Sequence, residues 1–237
     1  MEELNEMCDL SFESQPMQPE KECYSACIVY VEKSLKGMNL EELKKGDKLF
    51  NSSESLSDPC LNRPLVIRES LVVGAYAETA VLLLKAIMHA PNNAIRDGWL
   101  LPALFSMHQY LELVMKDSIH YFKCNTGGIS YSETGYGLIH KLETLWDELK
   151  SLLPKPNDEK LDIVSSLLKE LDSISDNSMA FRYPFKSDRA GNIMAYTHTD
   201  DNGDNLLLID CNTLLERFMQ LYGFFEGINA LAQESSN

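Results

Sequence analysis

The stretch Asp97 to Lys123, DGWLLPALFSMHQYLELVMKDSIHYFK, decides the fold class. Trp99, Leu100, Ala103, Leu104, Met107, Leu111, Val114, Met115, Ile119 and Phe122 recur at intervals of three and four, the spacing that gathers side chains along an α-helix. The spacing predicts a helix over 97–123 as the central element of the core. Towards the N-terminus, Pro64 suits the first turn of a helix running to about Ala90, where Pro91-Asn92-Asn93 stops it. Its segment Leu71–Ala90 is apolar enough to raise the question of a membrane span. Glu78, Lys85 and His89 interrupt it, each costly in a bilayer, so a buried helix is the expectation.

Further along, CNTGGISYSETGYG (124–137) is glycine-rich and reads as a loop. A helix of about Leu138–Leu153 should stop before Pro154 and Pro156. The next, about Asp158–Ile174, carries Leu161, Val164, Leu167, Leu168 and Leu171, and the two read as an antiparallel pair. After Asn177 the pattern changes to short apolar runs between Gly and Asn turns, which predicts a small β-hairpin or meander. Asp210 or Asn212 can then cap a last helix with Leu214, Leu215, Phe218, Leu221, Tyr222, Phe225, Ile228 and Leu231 on its apolar side. The fold class expected is mainly α: a helical bundle with a small β element before its last helix. Residues 1–20, acidic and carrying Pro16 and Pro19, read as a poorly ordered lead-in, and 21–237 as one helical domain whose first helix covers about Glu22–Lys36.

With 237 residues, of which 44% are hydrophobic, the chain can bury one sizeable core. Its 21 Lys and Arg against 36 Asp and Glu give a formal charge of −15, which argues against coating of a phosphate backbone. The first residues lack the basic and apolar regions of a signal peptide, and the six cysteines form no CxxC pair, so reduced thiols in a cytoplasm are expected.

Several chemistries fail on spacing. Placing Gly203 of TDDNGDN at the sixth position of a calcium loop puts His198 and Ile209 where carboxylates are required, so Asn202-Gly203 reads as a hairpin turn instead. Gly135-Tyr136-Gly137 is followed by His140 where a dinucleotide fingerprint needs its third glycine. Cys23 and Cys27 lack a second ligand pair for zinc, and no Gly-x-Ser-x-Gly elbow is present. No metal site and no cofactor are therefore expected.

Two constellations remain. His108, Glu112, Lys116 and His120 step by four along the central helix. They read either as a solvated face with a Glu112–Lys116 ion pair or as a polar groove between helices that binds a ligand. The second joins His140, at the start of a helix and just after the glycine loop, to Arg182 and Tyr183 of FRYP. A helix N-terminus offers N–H groups to an anion and Arg forks onto phosphate, which makes His140 and Arg182 the catalytic candidates and Tyr183 a binding one. The structural alternative is that His140 caps its helix and Arg182 pairs with a buried carboxylate such as Glu112.

Taken in order, Tyr110-Leu111-Glu112-Leu113-Val114-Met115-Lys116, then Ile139-His140-Lys141-Leu142-Glu143-Thr144-Leu145-Trp146, then Phe181-Arg182-Tyr183-Pro184, and Phe224-Phe225-Glu226-Gly227 near the end resemble the bacterial HEPN-like helical proteins over about residues 64–232. The resemblance implies a compact bundle, often dimeric, of the kind found in toxin–antitoxin pairs, RNA-cleaving effectors and antiviral defence. Ribonuclease members carry Arg, four to six residues, then His. None of Arg63, Arg68, Arg96, Arg182, Arg189 and Arg217 is followed by a histidine at that distance. The expectation is thus a non-catalytic binding or regulatory module with a protein partner or a second copy of itself. A metal-independent ribonuclease or nucleotide-processing enzyme using His140 and Arg182 is the alternative, and a structural scaffold a third. RNA or a nucleotide stays open as a ligand; membrane insertion and bulk DNA binding are not expected.

Overall fold

A computed structural model describes residues 65–124, 139–154, 159–175, 197–199 and 205–234. Within them the protein is mainly α, with five helices: α1 (Leu65–His89), α2 (Asn93–Cys124), α3 (Leu142–Leu152), α4 (Glu159–Ser175) and α5 (Cys211–Glu234). Three-residue segments β1 (Thr197–Thr199) and β2 (Asn205–Leu207) pair antiparallel, His198 opposite Leu206. The expected helix at 22–36, the glycine loop, FRYP and the Asn202-Gly203 turn lie outside the described residues.

The central helix begins four residues earlier than the spacing predicts, because the turn before it carries its own caps. The Asn92 side chain accepts the Ile95 N–H at 3.0 Å, and the Arg96 guanidinium donates twice to the Ala90 carbonyl, at 3.2 and 3.0 Å. So short a connection folds α1 back along α2. The ladder of α2 continues through Pro102, which lacks the N–H for one bond.

Leu104, Leu111, Val114, Met115 and Ile119 of α2 are all buried, and α1, α3 and α5 pack around them. The α5 contact is aromatic: the Tyr110 ring lies 5.7 Å from Phe218 and 5.3 Å from Tyr222. Its hydroxyl donates to Glu226 Oε1 at 3.1 Å. Burial, aided by that carboxylate, pushes the Tyr110 phenol well above its usual range and keeps it a donor.

Among the described residues, one side of α1 is covered. Ala77, Ala80, Leu84 and Ile87 are buried, whereas Leu71, Val72 and Leu82 are exposed. This edge helix passes the length and composition test for a membrane span over Leu71–His89, a test that core helices of bundles pass as well. The expectation of a buried helix holds for one face.

Helix α4 packs on α3, antiparallel to it: Ser165 meets Trp146 near the middle of both, and Asp172, near the end of α4, meets the start of α3. The last helix is capped by Asp210, not Asn212. Its carboxylate accepts the Asn212 N–H at 3.0 Å and the Thr213 hydroxyl at 2.6 Å.

Two outcomes follow from this packing. Leu111 is fully enclosed, so Leu111→Ala should cost about 2–5 kcal/mol, read as a lower urea midpoint. Asp210 is held below the usual carboxylate range, first by the Thr213 hydroxyl and then by the Asn212 N–H. Its contribution is present above the carboxyl value of the unfolded chain, about 3.9, and is lost as pH falls through the lower folded value. The melting difference between wild type and Asp210→Ala should therefore be constant near neutrality and shrink on acidification through that window.

Candidate functional site

Helix α2 carries His108, Glu112 and Lys116 on successive turns, and the structure buries all three, at 0%, 3% and 5% exposure. The solvated-face reading of the stripe is therefore corrected. The cause is the chain before α3, which brings His140 onto Glu112, and α4, which brings Asp172 to His108. His120, one turn beyond Lys116, is only partly covered, its ring 6.0 Å from that of Tyr121.

Glu112 is the hub. Its Oε1 accepts from Lys116 Nζ at 2.7 Å and lies 2.9 Å from Nδ1 of His140. An ionised carboxylate only accepts, so His140 Nδ1 carries its hydrogen there and, in the neutral ring, Nε2 is left as an acceptor. The His140 side chain is 52% exposed, which puts half the ring in solvent while its inner edge is anchored. Carboxylate-oriented imidazoles of this kind serve as general acids or bases when a substrate reaches the free nitrogen.

Behind this pair sits His108, fully enclosed. Its Nδ1 lies 3.9 Å from Glu112 Oε2 and its Nε2 3.6 Å from Asp172 Oδ1, both beyond hydrogen-bond reach. Among the described residues neither ring nitrogen, nor Glu112 Oε2, has a hydrogen-bond partner. Such orphaned buried atoms are uncommon in a settled core and mark the place as unusual.

Asp172 completes the group. From α4 its carboxylate accepts the Leu142 N–H at 3.3 Å and the Glu143 N–H at 2.8 Å, two of the free amides that open α3. The expectation that His140 caps this helix is corrected: α3 begins at Leu142, its N-cap Lys141 is extended and makes no side-chain cap bond, and the cap comes from another helix. Lys141 instead pairs with Glu143 at 2.8 Å. That contact holds the Lys141 ammonium above and the Glu143 carboxyl below their ordinary ranges.

Of the residues singled out from the sequence, His108, Glu112, Lys116 and His140 thus meet at one junction of α2, α3 and α4. Arg182 and Tyr183 lie outside the described residues, and with them the proposed pairings of Arg182 with His140 or Glu112. Asp172 escaped sequence reasoning, although it falls seven residues after Ser165 beside the Leu161–Leu168 face, a spacing that places both polar groups towards α3. Among the described residues no cluster of three or more His, Cys, Asp or Glu is placed to hold a metal ion. Comparison with family models, with curated proteins and with solved structures finds no match.

Removing one side of a buried ion pair strands the other. Glu112→Ala should therefore cost about 3–5 kcal/mol, whereas the double change Glu112→Leu with Lys116→Met should cost clearly less, both read by chemical denaturation.

Proposed function

We propose that this chain is a HEPN-like helical module that works by binding, as a regulatory or sensing component of a bacterial defence or toxin–antitoxin system. One observation carries the non-catalytic part. The groups that would grip a phosphate are engaged by the protein's own carboxylates: Lys116 by Glu112, and the first amides of α3 by Asp172. A site already neutralised in this way suits recognition and signalling better than turnover. The missing Arg-to-His spacing points the same way.

The resemblance gains support from the meeting of Glu112 and Lys116, from one of its motifs, with His140 from the next. In this reading β1 and β2 form the small hairpin before the closing helix. The chain is cytoplasmic and needs neither cofactor nor metal. Its partner is a protein, first of all a second copy, to which α5 can offer Met219 and Leu231, exposed at 44% and 40%.

A second reading has its own observation. Glu112 orients His140 with half the ring in solvent, the geometry of a general base for attack by an RNA 2′-hydroxyl, with Arg182 as its phosphate ligand.

The two readings separate in one assay. Purified wild type incubated with a mixed RNA pool in EDTA should leave the RNA intact; cleavage by wild type that is lost in folded His140→Ala and Arg182→Ala would replace the first reading with the second. Light scattering over a concentration series should give a dimer mass, and a monomer mass throughout would remove the second copy as partner.

A further inference from the structure

The Asp172 carboxylate does more than end a helix. It occupies the N-terminus of the eleven-residue helix α3, where free N–H groups and the helix dipole favour an anion. A second and independent feature faces the same spot. His108 is fully buried, its ring nitrogens have no hydrogen-bond partner among the described residues, and its Nε2 is aimed at the very oxygen, Asp172 Oδ1, that accepts the Leu142 N–H.

We propose that Asp172 is a built-in stand-in for a tetrahedral oxyanion of the phosphate class, held in a site made by the Leu142 and Glu143 amides and His108, and that the site opens when α4 withdraws. The geometry explains why phosphate fits better than the carboxylate that is there. Asp172 turns one oxygen to each amide, and in that orientation its Oδ1 stays 3.6 Å from Nε2. A tetrahedral anion keeps a further oxygen for that nitrogen. Lys141, paired with Glu143, and His140, bonded to Glu112, immediately precede these amides in the chain.

Withdrawal of α4 would uncover Leu161, Val164, Leu168 and Leu171, its contribution to the apolar core. The helix packs on α3, is tied to it by the Trp146–Ser165 hydrogen bond and the Asp172 cap, and leaves Ile163 55% exposed on its outer side. The inference goes beyond the binding-module reading, and its test does not depend on RNA cleavage or dimerisation.

The test uses the full chain with Asp172→Ala and inorganic phosphate as the probe, against chloride at equal ionic strength. Phosphate should raise the melting temperature of Asp172→Ala by roughly 5 °C more than that of wild type, whose site is filled. The amide resonances of Leu142 and Glu143 should move with phosphate in the variant alone. Adding His108→Leu should abolish the extra rise. If Asp172→Ala does not fold in chloride, its recovery of helical circular dichroism in phosphate is the expected result. A phosphate response equal to that of wild type, a response indifferent to His108→Leu, or a variant unfolded in both salts would overturn the proposal.

Discussion

The carboxylate of Glu112 is the constraint to which the junction of α2, α3 and α4 answers. An ionised carboxylate withdrawn from water costs several kcal/mol unless donors replace the water it loses. Lys116 supplies one from the next turn of the same helix, and His140 supplies another from a different part of the chain. That second bond fixes where the chain must run just before α3, and so where α3 can begin. With its start fixed, the unpaired amides of α3 need an acceptor, and Asp172 meets that need from α4. A single buried charge thus sets the relation of three helices that are far apart in sequence.

How far the sequence discloses this arrangement differs from element to element. The helix over 97–123 could be read directly, because its apolar positions recur at helical spacing, although its start at Asn93 depended on local capping by Asn92 and Arg96. The polar stripe was visible as a stripe but not as a buried one. Periodicity reports which residues share a face, and it does not report what lies against that face. One clue was available: Leu104, Met107, Leu111, Val114, Met115 and Ile119 spread so far around the helix that little of it was left for water. The sequence pattern sets the start of α3 earlier than Leu142 for a related reason. Leu138, Ile139 and His140 have ordinary helical character, and what stops the helix at Leu142 is a contact with Glu112 that no local rule contains. Asp172 was the hardest to see, since an acidic residue near the end of an amphipathic helix normally faces solvent and opposes the dipole of its own helix.

The same layout separates rigid from separable parts. Helices α1, α2 and α5 share a continuous apolar core, reinforced by the Tyr110, Phe218 and Tyr222 rings. Helix α4 adds Leu161, Val164, Leu168 and Leu171 to that core at its margin, where it packs on α3 and, among the described residues, is tied to it by the Trp146–Ser165 and Asp172 hydrogen bonds. Elements at the margin of a core open at lower free energy than its centre.

Trp146 gives that difference an optical expression. Its indole is 1% exposed, bonded through Nε1 to Ser165 at 2.7 Å and set edge-on to Phe224 and Phe225 at 5.9 and 5.8 Å. One side of the ring therefore senses α4 and the other senses α5. Departure of α4 would trade a hydroxyl partner for water while leaving the aromatic wall in place, whereas global unfolding would remove both. The emission of this one fluorophore, read beside that of Trp99, distinguishes a loosened outer helix from a lost core without any label being attached.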